Sequence, residues 1–398
     1  MTNLPQGWEV KKLEEIANIK GGKRLPKGEN LLDNNTKFAY IRVADFQDNG
    51  TINLQNIKFI NENTYNVLKN YKIYDDNLYI SIAGTIGKSG IIPKELNGAI
   101  LTENAVKLEY IQNNISNKFM YFFTLSNIFK TQIQTSTKIV AQLKLAITRL
   151  KQIQIPLPPL KEQERIVGIL DESFAKIDES IKILEQDLLN LDELMQSALQ
   201  KAFNPLKDNA KENYKLPQSW EWKSLEEISE NISAGGDKPK NCTESKTAKN
   251  QIPVYANGVN NNGLVGYTDK ATIIKPSLTI SARGTIGFVC IRKEPYFPIV
   301  RLISLIPCEN ILCLHYLYFC LNFFIAKGEG SSIPQLTIPK FKSLQIPLPP
   351  LKEQEQIAEH LDFVFEKAKA LKELYTKELK DYEELKQSLL DKAFKGEL

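Results

Sequence analysis

Two short loops carry the side chains best suited to recognition chemistry. Gly21-Gly22-Lys23-Arg24-Leu25-Pro26-Lys27-Gly28 and Gly235-Gly236-Asp237-Lys238-Pro239-Lys240 each follow a Leu-Glu-Glu-Ile tetrapeptide, and both join glycine to cationic residues. Glycine lets a backbone come close to another surface. Lys23, Arg24, Lys27, Lys238 and Lys240 are of the type that meets phosphates, and arginine also pairs with base edges. A plain surface turn is the alternative reading. A second pair of segments, Ile80 to Gly87 (ISIAGTIG) and Ile280 to Gly287 (ISARGTIG), offers Thr85 with Lys88 and Arg283 with Thr285. No Gly-Lys-Ser/Thr follows four residues after the first glycine, so neither is a P-loop. Arg42 and Asn257 lie in Tyr40-Ile-Arg42 and Tyr255-Ala-Asn257, while Lys138, Gln142, Ser332 and Gln335 stand a little further along each half. Asn and Gln pair with adenine and Arg with guanine. The shared chemistry is hydrogen bonding to a polyanion, not bond making.

Residues for catalysis are scarce. Two histidines, His315 and His360, leave little for a triad or a His-based metal site, and the five cysteines form no CxxC pair. Glu-x-Lys occurs at Glu9, Glu221 and Glu244, among other places, with no convincing preceding Asp to complete the clustered carboxylates that a metal-dependent nuclease needs. The only Asn-Pro, Asn204-Pro205, is followed by Leu-Lys and does not make a methyltransferase loop. A catalytic group of the chain's own is not expected.

The elements that must position these loops are written twice. Leu4 to Ile16 matches Leu216 to Ile228, the GTIG segments match, QIPLPPLKEQE at Gln154 to Glu164 returns at Gln345 to Glu355, and Gln196 to Phe203 matches Gln387 to Phe394. The text between the landmarks differs: Gly22 to Tyr79 bears little resemblance to Gly236 to Thr279. Each Lys-Ala-Phe ending leads to a Leu-Pro-Gln start, directly in one case and in the other only if the end of the chain is joined to Met1. The organisation is that of a ring cut open, carrying two unlike inserts on one frame.

After each repeated phrase a long amphipathic helix is expected. Val167, Leu170, Phe174, Ile177, Ile181, Leu184, Leu188, Leu191, Met195, Ala198 and Ala202 alternate steps of three and four, the seam of a coiled coil. The second seam reads Ile357, Leu361, Val364, Ala368, Leu371, Tyr375, a defect at Glu378, then Tyr382, Leu385 and Leu389. The two helices either pack separately on their own domains or pair antiparallel; in the second case a helix of roughly 66 Å would hold two modules apart. The prolines and the Lys-Glu-Gln-Glu that follows suit a helix start. The identity of the two phrases is expected to serve two copies of one partner subunit, each meeting one phrase, through Lys161, Glu162 and Gln163 or through Lys352, Glu353 and Gln354.

Charge is divided by part. Residues 1–155, 156–215, 216–346 and 347–398 carry net charges of +7, −4, +4 and −3. Basic modules on acidic helices fit a polyanion partner. Each module reads as α+β, with strands near Phe38 to Val43, Leu78 to Ile82, Ala105 to Leu108, Thr272 to Ile274, Leu278 to Ser281 and Phe288 to Ile291, and helices near Asn117 to Phe129 and Leu312 to Ile325. No run is apolar enough to span a membrane, and the opening MTNLPQGWEVKK lacks the layout of a signal peptide, so a cytoplasmic location is expected.

On these paired starts, hairpins, phrases and helices the chain resembles the specificity subunit of type I restriction-modification systems over essentially its whole length. The resemblance implies target recognition domains at 1–155 and 206–346, helical spacers at 156–205 and 347–398, and a pseudo-two-fold, circular frame. It implies double-stranded DNA, two methyltransferase subunits and endonuclease/translocase subunits as partners, with S-adenosylmethionine, ATP and Mg held only by those subunits. Methyltransferase-only or fused complexes and a protein-only coiled-coil scaffold remain as alternatives.

Overall fold

The computed structural model describes residues 4–138, 144–203, 217–325, 328–329 and 336–398, with backbone alone at 136–138 and 328–329. Two compact units emerge. The first takes residues 1–184 and 377–398, and the second takes 185–376. Each long helix is therefore divided between the two units. The architecture is two mixed α/β domains joined by two long helices, Leu160–Phe203 and Leu351–Lys395.

The first unit is built on a four-stranded antiparallel sheet in the order Ala17–Gly21, Ala105–Tyr110, Leu78–Ser81, Ser89–Ile91. Leu78, Tyr79 and Ile80 are fully buried, as a strand covered on both faces requires. A second sheet pairs Ala39–Ile41 in parallel with Ala99–Leu101 and adds Lys58–Phe59 and Lys72–Ile73 at its edges. The helix expected from Asn117 to Phe129 is two helices, Asn117–Leu125 and Asn127–Lys138. Ser126 breaks it: its extended backbone ends the first, and its hydroxyl donates to the Phe123 carbonyl while accepting from the Phe129 amide.

The second unit repeats the plan. Its main sheet runs Ser229–Ala234, Ile303–Pro307, Ser277–Ile280, Val289–Arg292, and a three-stranded sheet joins Leu264–Thr268, Ile252–Tyr255 and Phe297–Pro298. The strand expected over Thr272 to Ile274 is only a bridge between Ile273 and Tyr296, with Ile274 left 71% exposed. Here periodicity was too short to signal burial.

The repeated phrase has two structural parts. Gln154–Leu157 is a strand paired antiparallel with Glu9–Lys12, and Gln345–Leu348 pairs with Glu221–Ser224 in the same register, so Pro156 lies opposite Val10 and Pro347 opposite Trp222. A two-stranded ribbon is all edge, which tolerates proline. The helix then starts, and its first turn holds a buried glutamine. Gln163 accepts from the Ser116 amide at 2.8 Å and donates to the carbonyls of Asn114 and Pro158 at 3.1 and 2.9 Å. Gln354 accepts from the Cys313 amide at 2.9 Å and donates to Ile311 and Pro349 at 2.9 and 2.8 Å. Each glutamine clips its helix to the domain it follows. That internal role accounts for the repeated glutamine, and it corrects the expectation that Gln163 and Gln354 face a partner: they are 1% and 0% exposed.

The cut ring is closed by packing. Phe394, near the end of the second helix, is buried in the core of the first unit with its ring 5.0 Å from Phe119 and 5.4 Å from Phe123. Arg165 donates to the Leu398 carbonyl at 2.8 Å. Phe203 plays the same part in the second unit, against Tyr316, Phe323 and Phe324.

Within each unit the helix halves run antiparallel, with Lys386 donating to Asp178 in the first and Lys372 donating to Asp192 in the second. Those lysines revise the second seam. Leu371 and Leu385 are 39% and 46% exposed, whereas Lys372, Leu379 and Lys386 are half-buried. The three-four alternation thus continues through Lys372, Tyr375, Leu379, Tyr382 and Lys386, and the expected defect at Glu378 disappears. Lysine stems cover apolar surface while their ammonium groups reach carboxylates on the other helix.

Candidate nucleic-acid interface

In the first unit, four segments are stitched together by main-chain hydrogen bonds. Gly22 donates to Ala105 at 3.0 Å, Lys23 to Leu101 at 2.9 Å, Ile82 to Asn104 at 2.8 Å and Leu145 to Ile82 at 2.8 Å. The glycine loop, the turn at 102–104, the GTIG hairpin and the chain entering at Lys144 therefore meet. Glycine is required at position 22 because a Cβ would lie 2.1 Å from the Thr102 carbonyl oxygen. The close approach expected of this glycine loop is made to the protein's own backbone. In the hairpin, Gly84 and Gly87 take φ of 74° and 90°, conformations that favour glycine.

Cationic groups gather on this junction. Arg24, exposed, donates to Glu103 at 2.7 Å, and Lys144 donates to the Glu103 carbonyl at 3.2 Å. Burial pushes the Glu103 carboxyl up, but hydrogen bonds from Arg24, its own backbone and Thr102 outweigh it, so the net shift is downward and the group is held ionised. Lys23, Lys27 and Thr85 are exposed. Lys144 was missed in the sequence because nothing local distinguishes it; only the bridge between Ala83 and Lys144 brings it to the hairpin.

The second unit forms the same junction with different residues. Gly235 donates to Leu302 at 2.8 Å and Leu336 to Ala282 at 3.2 Å, and a Cβ on Gly235 would lie 2.6 Å from the Ile299 nitrogen. Lys238, Lys240 and Arg283 are exposed. Thr285 is not available as expected: its hydroxyl is buried and has no partner among the described residues. One turn has no counterpart in the sequence reading. Val300 and Arg301 take φ of 53° and 59°, a left-handed pair without glycine, which costs about 1–3 kcal/mol per residue.

Three other expected readers are occupied. Arg42 donates to both carboxylate oxygens of buried Asp45, at 3.1 and 2.6 Å, and to the Asn56 carbonyl at 2.9 Å. Asn257 accepts from the Ala282 amide at 2.8 Å and donates to the Val300 carbonyl at 2.6 Å. Lys88 pairs with Asp48 at 2.8 Å. Each serves as a clip between loops. Gln142, Ser332 and Gln335, and the side chain of Lys138, lie outside the described residues. At the helix starts, Glu162 is held by Arg165 and Glu353 by the Trp220 indole at 3.0 Å, while Lys161 and Lys352 are exposed.

The model of the type I restriction modification DNA specificity domain matches residues 5–188 and again 217–380. The chain belongs to that family. It is a specificity subunit with two DNA-specificity domains. A protein of Mycoplasma pneumoniae described as a type I specificity subunit is 29% identical over 357 residues, spanning 88% of this chain and 87% of its own length. The fold matches, with a TM-score of 0.82, 20% identity and full coverage of both chains, a protein from a study of complex assembly and conformational transition of the type I R-M system. The HsdS subunit from Thermoanaerobacter tengcongensis aligns with a TM-score of 0.64 at 21% identity, covering 100% of this chain and 98% of that one. No metal-binding cluster of His, Cys, Asp or Glu occurs among the described residues, and no helix there is long and apolar enough to cross a membrane.

Proposed function

We propose that this subunit reads a bipartite, asymmetric site on duplex DNA and supplies no catalytic group of its own. The observation that carries this is the repetition of one junction in both units with different side chains on it: Lys23, Arg24 and Lys144 in the first, Lys238, Arg283 and Arg301 in the second. Like frames match the dyad of a duplex, as paired readers match palindromes. Unlike side chains then read unlike half-sites, with unread bases between them. Methyltransferase and endonuclease subunits, which would bring S-adenosylmethionine, ATP and Mg, carry the chemistry. A cytoplasmic location fits this role.

In the assembled complex with methyltransferase subunits, a gel shift on mixed duplex DNA is expected to weaken steeply with salt, because lysine and arginine contacts release counterions. Absence of any shift would leave only a protein-binding scaffold. The continuous helices set the gap between half-sites: insertion or deletion of a few residues near Asp187 changes the unread spacer and leaves both half-sites intact. Altered half-sites in mapped DNA modification would contradict this.

A further inference from the structure

We propose that Arg301 is a base-reading residue of the second unit, contacting guanine in the major groove. This rests on the DNA-reading role above and assigns part of it to a side chain that no local sequence signal marks.

The turn that carries Arg301 is expensive and over-determined. Val300 is β-branched, the type least suited to positive φ, yet both it and Arg301 are left-handed. The pair is held by the Val300 and Arg301 amides donating to Gly236 and Gly235 at 2.8 and 2.9 Å, and by Asn257 donating to the Val300 carbonyl. A turn needed only for connection would take glycine at these positions. Nor does burial account for the choice, since Val300 is 52% exposed and Arg301 is exposed. What the strain achieves is placement of Arg301, which stands exposed at the junction where the glycine loop and the hairpin meet. In the first unit the turn at 102–104 has no positive φ, and its acid, Glu103, neutralises Arg24.

Among the described residues the Arg301 side chain has no hydrogen bond or ion pair. A guanidinium fixed at its backbone and free at its head matches the O6 and N7 acceptors of guanine, which a bidentate fork reads. Phosphate is the competing ligand, and it would give affinity without sequence preference.

The test is modified-base mapping with the assembled methyltransferase complex carrying the wild-type subunit, Arg301→Ala or Val300→Gly. Arg301→Ala is expected to lose about 5- to 150-fold discrimination at one base pair of one half-site, with the other half-site unchanged. Val300→Gly keeps Arg301 on a backbone suited to the turn and is expected to retain the wild-type motif. An unchanged motif in Arg301→Ala overturns the proposal. So does uniform weakening across sequences with a salt slope reduced by about one, the signature of a phosphate contact, or relaxation by Val300→Gly alone. If the wild-type complex itself marks no bipartite sequence, it is the DNA-reading role that fails.

Discussion

Alanine in place of Phe394 lowers the stability of the first unit by about 3–5 kcal/mol, the range for emptying a buried aromatic site, although the residue lies almost four hundred positions from the start of that domain. Its ring is 1% exposed and packs with Phe119 and Phe123. The surrounding core cannot collapse freely, because those phenylalanines are fixed by the sheet beneath them. Phe203→Ala is expected to do the same to the second unit, where Tyr316 and Phe324 face the ring. Denaturant unfolding, followed with a probe in each unit, checks both. A loss below about 1 kcal/mol at Phe394 would mean that the end of the second helix merely leans on the domain, and the cut-ring account of the fold would fail.

Leucine at Gln354 or Gln163 is expected to cost about 3 kcal/mol or more, despite keeping the apolar volume. Each glutamine satisfies one amide and two carbonyls in a site closed to water, and a buried polar group left without a partner costs about 1–3 kcal/mol. Gln354→Glu should not rescue. A carboxylate still accepts from the Cys313 amide, but it sets negative charge against the Ile311 and Pro349 carbonyls, to which the amide donated. Thermal unfolding of the three variants measures this, and near-wild-type stability would remove the structural reason for the repeated glutamine.

The duplicated frame was legible in the sequence because whole landmarks recur, and the helices because their steps of three and four persist. Where reading by apolar residues stopped, the molecule used lysine: Lys372 and Lys386 occupy seam positions that hydrophobicity assigned to Leu371 and Leu385. The strand in Gln154–Leu157 was hidden by Pro156, acceptable only because its ribbon has a free edge. At the junctions, residue type predicted cationic exposure for Lys23, Arg24, Lys238 and Arg283. It could not show that Arg42 and Asn257 spend their hydrogen bonds inside the protein, since Asp45 lies three residues from the first and Ala282 twenty-five from the second, and either pairing is visible only in three dimensions. Arg301 was passed over because a left-handed backbone leaves no mark when the residues are valine and arginine.

The central claim is that each unit reads its own half-site. Mapping modified bases after exchanging residues 4–157 for the matching segment of a family member with another specificity tests it most directly. The account predicts that one half-site changes completely while the other half-site and the spacer stay as they were. A new motif in both halves, or the original motif in both, would contradict it.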